Sequence, residues 1–363
     1  MPSNPPWKRP PDPPPLDSVK PTSTPALRLT GVGRLDRVPV PVATPAEDEV
    51  LVRVLAVGLC GSDAHWFEEG GIGDAVLGEG LILGHEMSAV IESGPRRGER
   101  VAVDPSIPCL VCPPCLAGRP NLCADLRFAG HGGTDGGLRG HLVWPRRCLV
   151  PIPDQVSAEA GALLEPLGVA LHAIDLGRPE NDEQVVVVGA GPIGLLVISA
   201  LRARGAGPIL VTDRLPHRLD AALELGASQA VAATEDDEEL ELLNAAVAGG
   251  AGVVIETAGN DMSLGSALTA ARPGGRVVLV GIPSTDRSCF VASTARRKEL
   301  TLYMCRRMLP GDLVRAAALA GEGRVDLDPL VSHRYPLSAG EEAFSALVAR
   351  SGLKVVVLPD AEA

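Results

Sequence analysis

The chain has 363 residues and a formal charge of −12 at pH 7, with 45% apolar and only 2% aromatic residues. That length suits two domains with sizeable cores, while the acidity argues against nucleic acid or an anionic membrane surface as partner. No run approaches the roughly 18 apolar residues of a membrane span, and the basic N-terminus lacks the apolar stretch of a secretory signal, so the reducing cytoplasm is the expected compartment.

Ten of the first 25 residues are proline. Proline fixes φ and removes a donor, so residues 1–25 are expected to form an extended, disordered tail. Residues 26–165 read as short strands cut by turns: "EVLVRVLAVGLCGSD", "LILGHEMSAVIESG", "GERVAVDPSIP" and "GLRGHLVWPRRCLVPIP". That spacing predicts an antiparallel, barrel-like domain. Residues 166–305 alternate apolar strands with helices, from "QVVVVGAGPIGLLVISALRARGAGPILVTDR" through "EELELLNAAVAGG" to "RVVLVG". The alternation predicts a parallel sheet covered on both faces. "RVVLVG" is read as a possible edge strand, able to pair with its twin across a two-fold axis. Residues 306–363 are expected to return to the first domain as a helix and a strand.

The strand Val185 to Val188 runs into Gly189-Ala190-Gly191-Pro192-Ile193-Gly194, a G-x-G-x-x-G between strand and helix. Gly189 suits the tight turn, Gly191 lets backbone approach a pyrophosphate, and Gly194 lets helix and strand touch. Pro192 fits a first helical turn, whose free N–H groups and dipole favour phosphate. The next strand ends in Asp213, an acid placed to accept the adenosine ribose hydroxyls and repel a 2′-phosphate. NAD is therefore the expected cofactor, although Arg214 directly after the acid weakens the exclusion of NADP. The cofactor set is Gly189, Gly191, Pro192, Ile193, Gly194, Asp213, Arg214 and Arg218.

Four of the eight cysteines fall within "CLVCPPCLAGRPNLC". In a reducing compartment Cys109, Cys112, Cys115 and Cys123 suit a closed, tetrahedral structural zinc better than disulfides. A second, open metal site would draw its ligands from separate elements. Cys60 in "GLCGSDAH", His85 and Glu86 in "GHE", and Glu165 in "LLEPLGVALHA" are the candidates. Each has a bland alternative: a small buried thiol, a satisfied core histidine, an acid at a helix start. Spacing alone leaves these alternatives open.

Taken together, "GLCGSDAHWFEEGGIGDA", "LGHEMSAVIESG", the cysteine lobe, "LLEPLGVALHA", "VVVVGAGPIGLL" and "VSHRYPL" give a chain that resembles the zinc-dependent medium-chain alcohol and polyol dehydrogenases, in the sorbitol dehydrogenase-like branch. The resemblance covers about residues 26 to 360. It implies a GroES-like β-barrel catalytic domain plus a Rossmann doubly wound parallel sheet, with the active site in the cleft between them. It implies a catalytic zinc on Cys60, His85 and Glu86, with Glu165 as an exchangeable ligand or a partner of the bound water. It also implies NAD as hydride acceptor, a proton relay through Ser62 and His65, and a homodimer or homotetramer. By spacing from Glu299, Arg307 matches the family's substrate arginine, but Met308 follows where an aromatic residue is usual. Trp66 stands where the branch often has tyrosine. Phe128 and His131 follow the zinc lobe, and His131 reads as a solvated loop histidine, with a substrate contact as the alternative. Cys148, Cys289 and Cys305 read as small packed hydrophobes. The expected activity is oxidation of a secondary alcohol of a polyol, sugar or cyclitol to its ketone. The rivals are a threonine-type 3-dehydrogenase and a non-catalytic NAD-binding protein.

Overall fold

A computed structural model describes residues 21–234, 247, 249–285 and 287–359. Nearly all of the expected tail and most of the helix expected from "EELELLNAAVAGG" lie outside the described residues. The first strand, Ser23–Gly31, pairs antiparallel with Arg34–Pro41.

Two sheets organise the chain. The first has seven strands, in the order Leu149–Pro151, Arg100–Val103, Glu86–Ile91, Glu49–Gly58, Lys354–Leu358 and Val331–Pro336, with His141–Pro145 also pairing Glu49–Gly58. The two C-terminal strands thus close onto a sheet begun 300 residues earlier in rough terms, a crossing that local pattern cannot show. The second sheet has six strands, all parallel, in the order Gln229–Ala232, Ile209–Asp213, Val185–Val188, Ala251–Glu256, Ala271–Leu279 and Thr301–Met304. This order turns about Val185–Val188, and the glycine turn lies at that strand's C-terminal end, where doubly wound sheets bind ligands.

The possible edge at "RVVLVG" is corrected. That segment belongs to Ala271–Leu279, which lies between Ala251–Glu256 and Thr301–Met304. The outer strand is Thr301–Met304, whose four residues are exposed or half-buried and give no apolar run. The strand Val331–Pro336 was also missed, because its residues are mostly half-buried and give no apolar run.

The helix Leu164–Gly177 joins the two halves. Leu164, Leu167, Leu171 and Ile174 recur at helical spacing and are fully buried. They share one core with Ala56 and Ile152 of the first half and with Val185, Leu195 and Ile198 of the second. Burying each such side chain contributes about 1.5–3 kcal/mol, so this helix fixes the two sheets relative to each other.

Candidate active site

The antiparallel register between two strands assembles the first cluster. Glu49–Gly58 and Glu86–Ile91 pair with Val57 opposite Met87 and Gly58 opposite Glu86. The end of one strand therefore lies beside the start of the other. Cys60, just past Gly58, meets His85 and Glu86, and the three ligand atoms lie within 4.8 Å of one another. His85 and Glu86 are buried and Cys60 is half-buried. Gly58 is required by close approach: a Cβ there would run into Glu86 Oε2.

Two residues that the sequence reading did not single out surround this cluster. Asp63 is 1% exposed and accepts hydrogen bonds from the N–H groups of Cys60 at 2.9 Å and Gly84 at 3.3 Å. Its Oδ1 lies 3.8 Å from His85 Nδ1, so the carboxylate could orient the ring if a metal were held by the other nitrogen. The C-x-x-D spacing of a helix start was the available signal, since Asp63 also caps the helix Gly61–Glu69. Lys354 is the second. Its ammonium donates to Glu86 Oε1 at 2.7 Å. Glu86 Oε2 lies in ion-pair range of the same ammonium but accepts no hydrogen bond among the described residues. Nothing in the sequence signals Lys354, because only the pairing of Val356 with Gly58 carries it to the site.

Burial pulls the His85 ring down, but Asp63 and the Cys60 thiol outweigh it and lift His85 to about 10. Glu165, in the first turn of Leu164–Gly177, is buried and stands outside the three-residue cluster. Burial, opposed by His85 and reinforced by Glu86, pushes its carboxyl up to about 8. A half-buried thiol, a buried imidazole and a buried carboxylate whose Oε2 makes no hydrogen bond among the described residues suit a divalent transition metal such as zinc, and three protein ligands leave one position of a tetrahedral shell.

The second cluster is local. Cys109, Cys112, Cys115 and Cys123 present their sulfurs within 4.8 Å of one another. Cys123 Sγ accepts the N–H of Cys109 at 3.3 Å, and Cys112 Sγ lies 3.8 Å from Cys123 Sγ. Backbone N–H groups of Ala124 and Cys115 pull the Cys112 thiol down to about 6. Four thiols, all from protein, fit a closed structural site. Of the other cysteines, Cys148 is buried and Cys305 half-buried, but Cys289 is exposed, which corrects its expected packing.

At the glycine turn, Gly189 has φ +98°, and a Cβ on Gly194 would collide with the Gly189 carbonyl. Pro192 opens the helix Pro192–Ala203. Asp213 accepts the N–H of Ala190 at 2.7 Å and of Leu215 at 2.9 Å, so the acid is tied to the turn it was expected to serve. Arg218 lies beside Gly191, 3.7 Å from where a Cβ would stand. Its Nε is buried without a partner among the described residues; burial lowers its pKa and Asp213 opposes that.

The remaining candidates gather around Phe128. Its ring lies 5.4 Å from the His85 ring, and the Arg307 guanidinium stacks over it at 4.3 Å. His131 meets Phe128 edge-on at 6.4 Å and Trp66 at 5.5 Å. His131 is therefore half-buried between aromatic rings, a correction to the solvated loop position. Burial and the charge of Arg307 lower its pKa. Trp66 is 2% exposed. Met308 is buried and sits over Gly168, so the residue after Arg307 faces the core shared with Leu164–Gly177. Ser62 and His65 occupy one face of Gly61–Glu69, and His65 Nδ1 lies 3.0 Å from Glu69 Oε1.

Residues 46–154 match the family described as alcohol dehydrogenase GroES-like domain, and residues 192–321 match that described as zinc-binding dehydrogenase. A probable D-xylulose reductase A of Arthroderma otae is 38% identical over 330 residues, covering 88% of this chain and 92% of the relative. The sorbitol dehydrogenase of Bacillus subtilis is 34% identical over 335 residues, covering 90% and 94%. Among solved structures, L-idonate 5-dehydrogenase of Escherichia coli superposes with a TM-score of 0.86 at 28% identity, covering 93% of this chain and 98% of that one.

Proposed function

The chain belongs to the zinc-dependent medium-chain polyol dehydrogenases, and from that premise we propose that it oxidises a secondary alcohol of a polyol or sugar derivative to the ketone, with NAD as hydride acceptor. The observation that carries the reading is the convergence of Cys60, His85 and Glu86 within 4.8 Å, beside a half-buried set of polar and aromatic side chains.

Two zinc ions per chain are proposed: a catalytic one on Cys60, His85 and Glu86, and a structural one on Cys109, Cys112, Cys115 and Cys123. Bound there, the catalytic ion would supply Lewis acidity at the substrate hydroxyl, and the nicotinamide would supply the hydride acceptor. The chain's own residues do the rest. Asp63 fixes the His85 ring through its Nδ1 side and ties down the backbone at Cys60 and Gly84. Lys354 neutralises Glu86, both of whose oxygens lie in range of its ammonium, and Oε2, which makes no hydrogen bond among the described residues, would be shared with the ion. Glu165, held largely protonated by burial, can exchange a proton or a ligand bond at the same place. Ser62 and His65 lead the released proton outward along one helix face, and Glu69 steadies the imidazole.

The glycine turn receives the dinucleotide's pyrophosphate at the N-terminus of Pro192–Ala203, and Asp213 disfavours a 2′-phosphate. The reducing cytoplasm is the proposed compartment, since the four-thiol site needs reduced cysteines. No helix among the described residues is long and apolar enough to cross a membrane. A dimer or tetramer is proposed, with the outer strand Thr301–Met304, exposed at Met304, as the pairing edge.

The test is metal content per chain together with NAD-coupled turnover of polyols, cyclitols and amino alcohols. Two zincs and turnover of a polyol-type alcohol are expected. Turnover of threonine with none of the polyols would select the 3-dehydrogenase, and no turnover by zinc-replete protein would select the non-catalytic reading.

A further inference from the structure

We propose that Asn121, in the cysteine lobe, is a positioning residue for the substrate end of the cleft: it holds the turn that carries Arg307, so that the lobe shapes the cleft as well as stabilising the fold. The inference rests on the dehydrogenase reading and adds a residue to it.

The lobe reaches the cleft along two routes. The first is a pair of short strands at its ends, Ser106–Ile107 and Arg127–Phe128, antiparallel with Phe128 opposite Ser106. Cys109 follows the first strand and Cys123 precedes the second, so the four converging sulfurs close the loop between them. This pairing sets Phe128, whose ring lies 5.4 Å from the His85 ring. The second route is Asn121, in the turn Pro120–Leu122 just before Cys123, and 6% exposed. Its Nδ2 donates to the Arg306 carbonyl at 3.0 Å, across 185 residues of chain.

The turn it holds is strained. Arg307 has φ +58°, in the left-handed region that a residue with a side chain enters at a cost. The segment's ends are fixed by other elements. The N–H of Cys305 donates to the Leu279 carbonyl at 2.9 Å, and that of Leu309 to Asp312 Oδ2 at 2.9 Å. Between them, the Arg306 carbonyl shares a rigid peptide plane with the Arg307 nitrogen. Anchoring that oxygen therefore restrains the dihedral that is strained. The Arg307 guanidinium stacks over Phe128 at 4.3 Å, with the Glu165 charge acting on it. Both partners of this stack thus depend on the lobe, one through a strand pair and the other through a single amide.

The amide itself points to this duty. Asn121 Oδ1 is buried and makes no hydrogen bond among the described residues. A half-satisfied buried amide is costly, so asparagine serves packing poorly at this place. What it supplies is the donor to Arg306.

The experiment takes zinc-replete wild type, Asn121→Leu, Arg307→Met and the double variant. It measures kcat, KM, NADH affinity and zinc content, with sorbitol, xylitol and gluconate as the alcohols. Asn121→Leu keeps the volume and removes the donor. It should raise KM by about five- to tenfold and leave kcat, NADH affinity and zinc content close to wild type. In the Arg307→Met background it should change KM by less than about twofold, because the residue it acts through is gone. Hydrogen exchange read by mass spectrometry should quicken in residues 305–309 and not in the lobe, residues 109–123. Asn121→Ala repeats every measurement with a smaller side chain, should leucine not fold there. Equal rises in KM with and without Arg307, or unchanged exchange at residues 305–309, overturn the proposal while the dehydrogenase reading stands. So does faster exchange through the whole lobe with loss of kcat and NADH affinity, the mark of a purely structural residue. Turnover of no alcohol at all would remove both.

Discussion

Lys354 and Glu86, 268 residues apart, form an ion pair with Nζ 2.7 Å from Oε1 and side-chain exposures of 2% and 1%. The charge of Glu86 burial is met from one side by this ammonium, and a metal is proposed to meet it from the other. Lys354→Met should therefore harm the metal-free protein more than the zinc-loaded one. Removing one partner of a buried pair costs about 3–5 kcal/mol, and zinc would compensate part of it. Melting curves with and without chelator measure this; equal losses in both would mean that Glu86 does not face the metal.

The two cysteine clusters should respond differently. Cys60→Ser is expected to lower turnover by about three orders of magnitude or more while NAD still binds. Cys112→Ser should remove one zinc per chain and lower the melting temperature, because a closed site contributes folding free energy. Zinc analysis and calorimetry on both variants check the division. Normal zinc content and melting in Cys112→Ser would contradict the structural role.

Asp213 is expected to set the cofactor. Asp213→Asn keeps an acceptor for the Ala190 and Leu215 N–H groups and removes the charge. The ratio of kcat/KM for NADP over NAD should rise by about tenfold or more, the equivalent of roughly 1.4 kcal/mol. An unchanged ratio would assign selection to the neighbouring arginines.

Asp104, just past the strand Arg100–Val103, gives a pH-dependent stability of its own. It is 6% exposed, and burial pushes its carboxyl from 3.8 to about 6 although the Ser106 N–H opposes the shift. The folded protein thus holds this proton more tightly than the unfolded chain. The stabilisation is full below about pH 4 and is lost as pH rises through about 6. Asp104→Asn keeps the acceptor and drops the titration, so its stability relative to wild type should grow by about 3 kcal/mol from pH 4 to 7. Urea midpoints across that range measure it, and parallel curves for the two proteins would rule the effect out.

The legible parts of this protein were those whose parts lie close along the chain. The four cysteines between Cys109 and Cys123 converge because a short loop can hardly keep them apart. The glycine turn, the strand before it and Asp213 after it are likewise one βαβ unit, and their spacing fixes their geometry. The tertiary structure alone decided the rest. Cys60, His85 and Glu86 meet through the register that sets Gly58 against Glu86, and Lys354 joins them through Val356 against Gly58. Register is chosen by which faces of distant strands bury their apolar side chains together, and a shift of one residue would turn each side chain away. No local pattern carries that choice, which is why Asp63 and Lys354 went unseen and His131 moved from solvent to an aromatic wall.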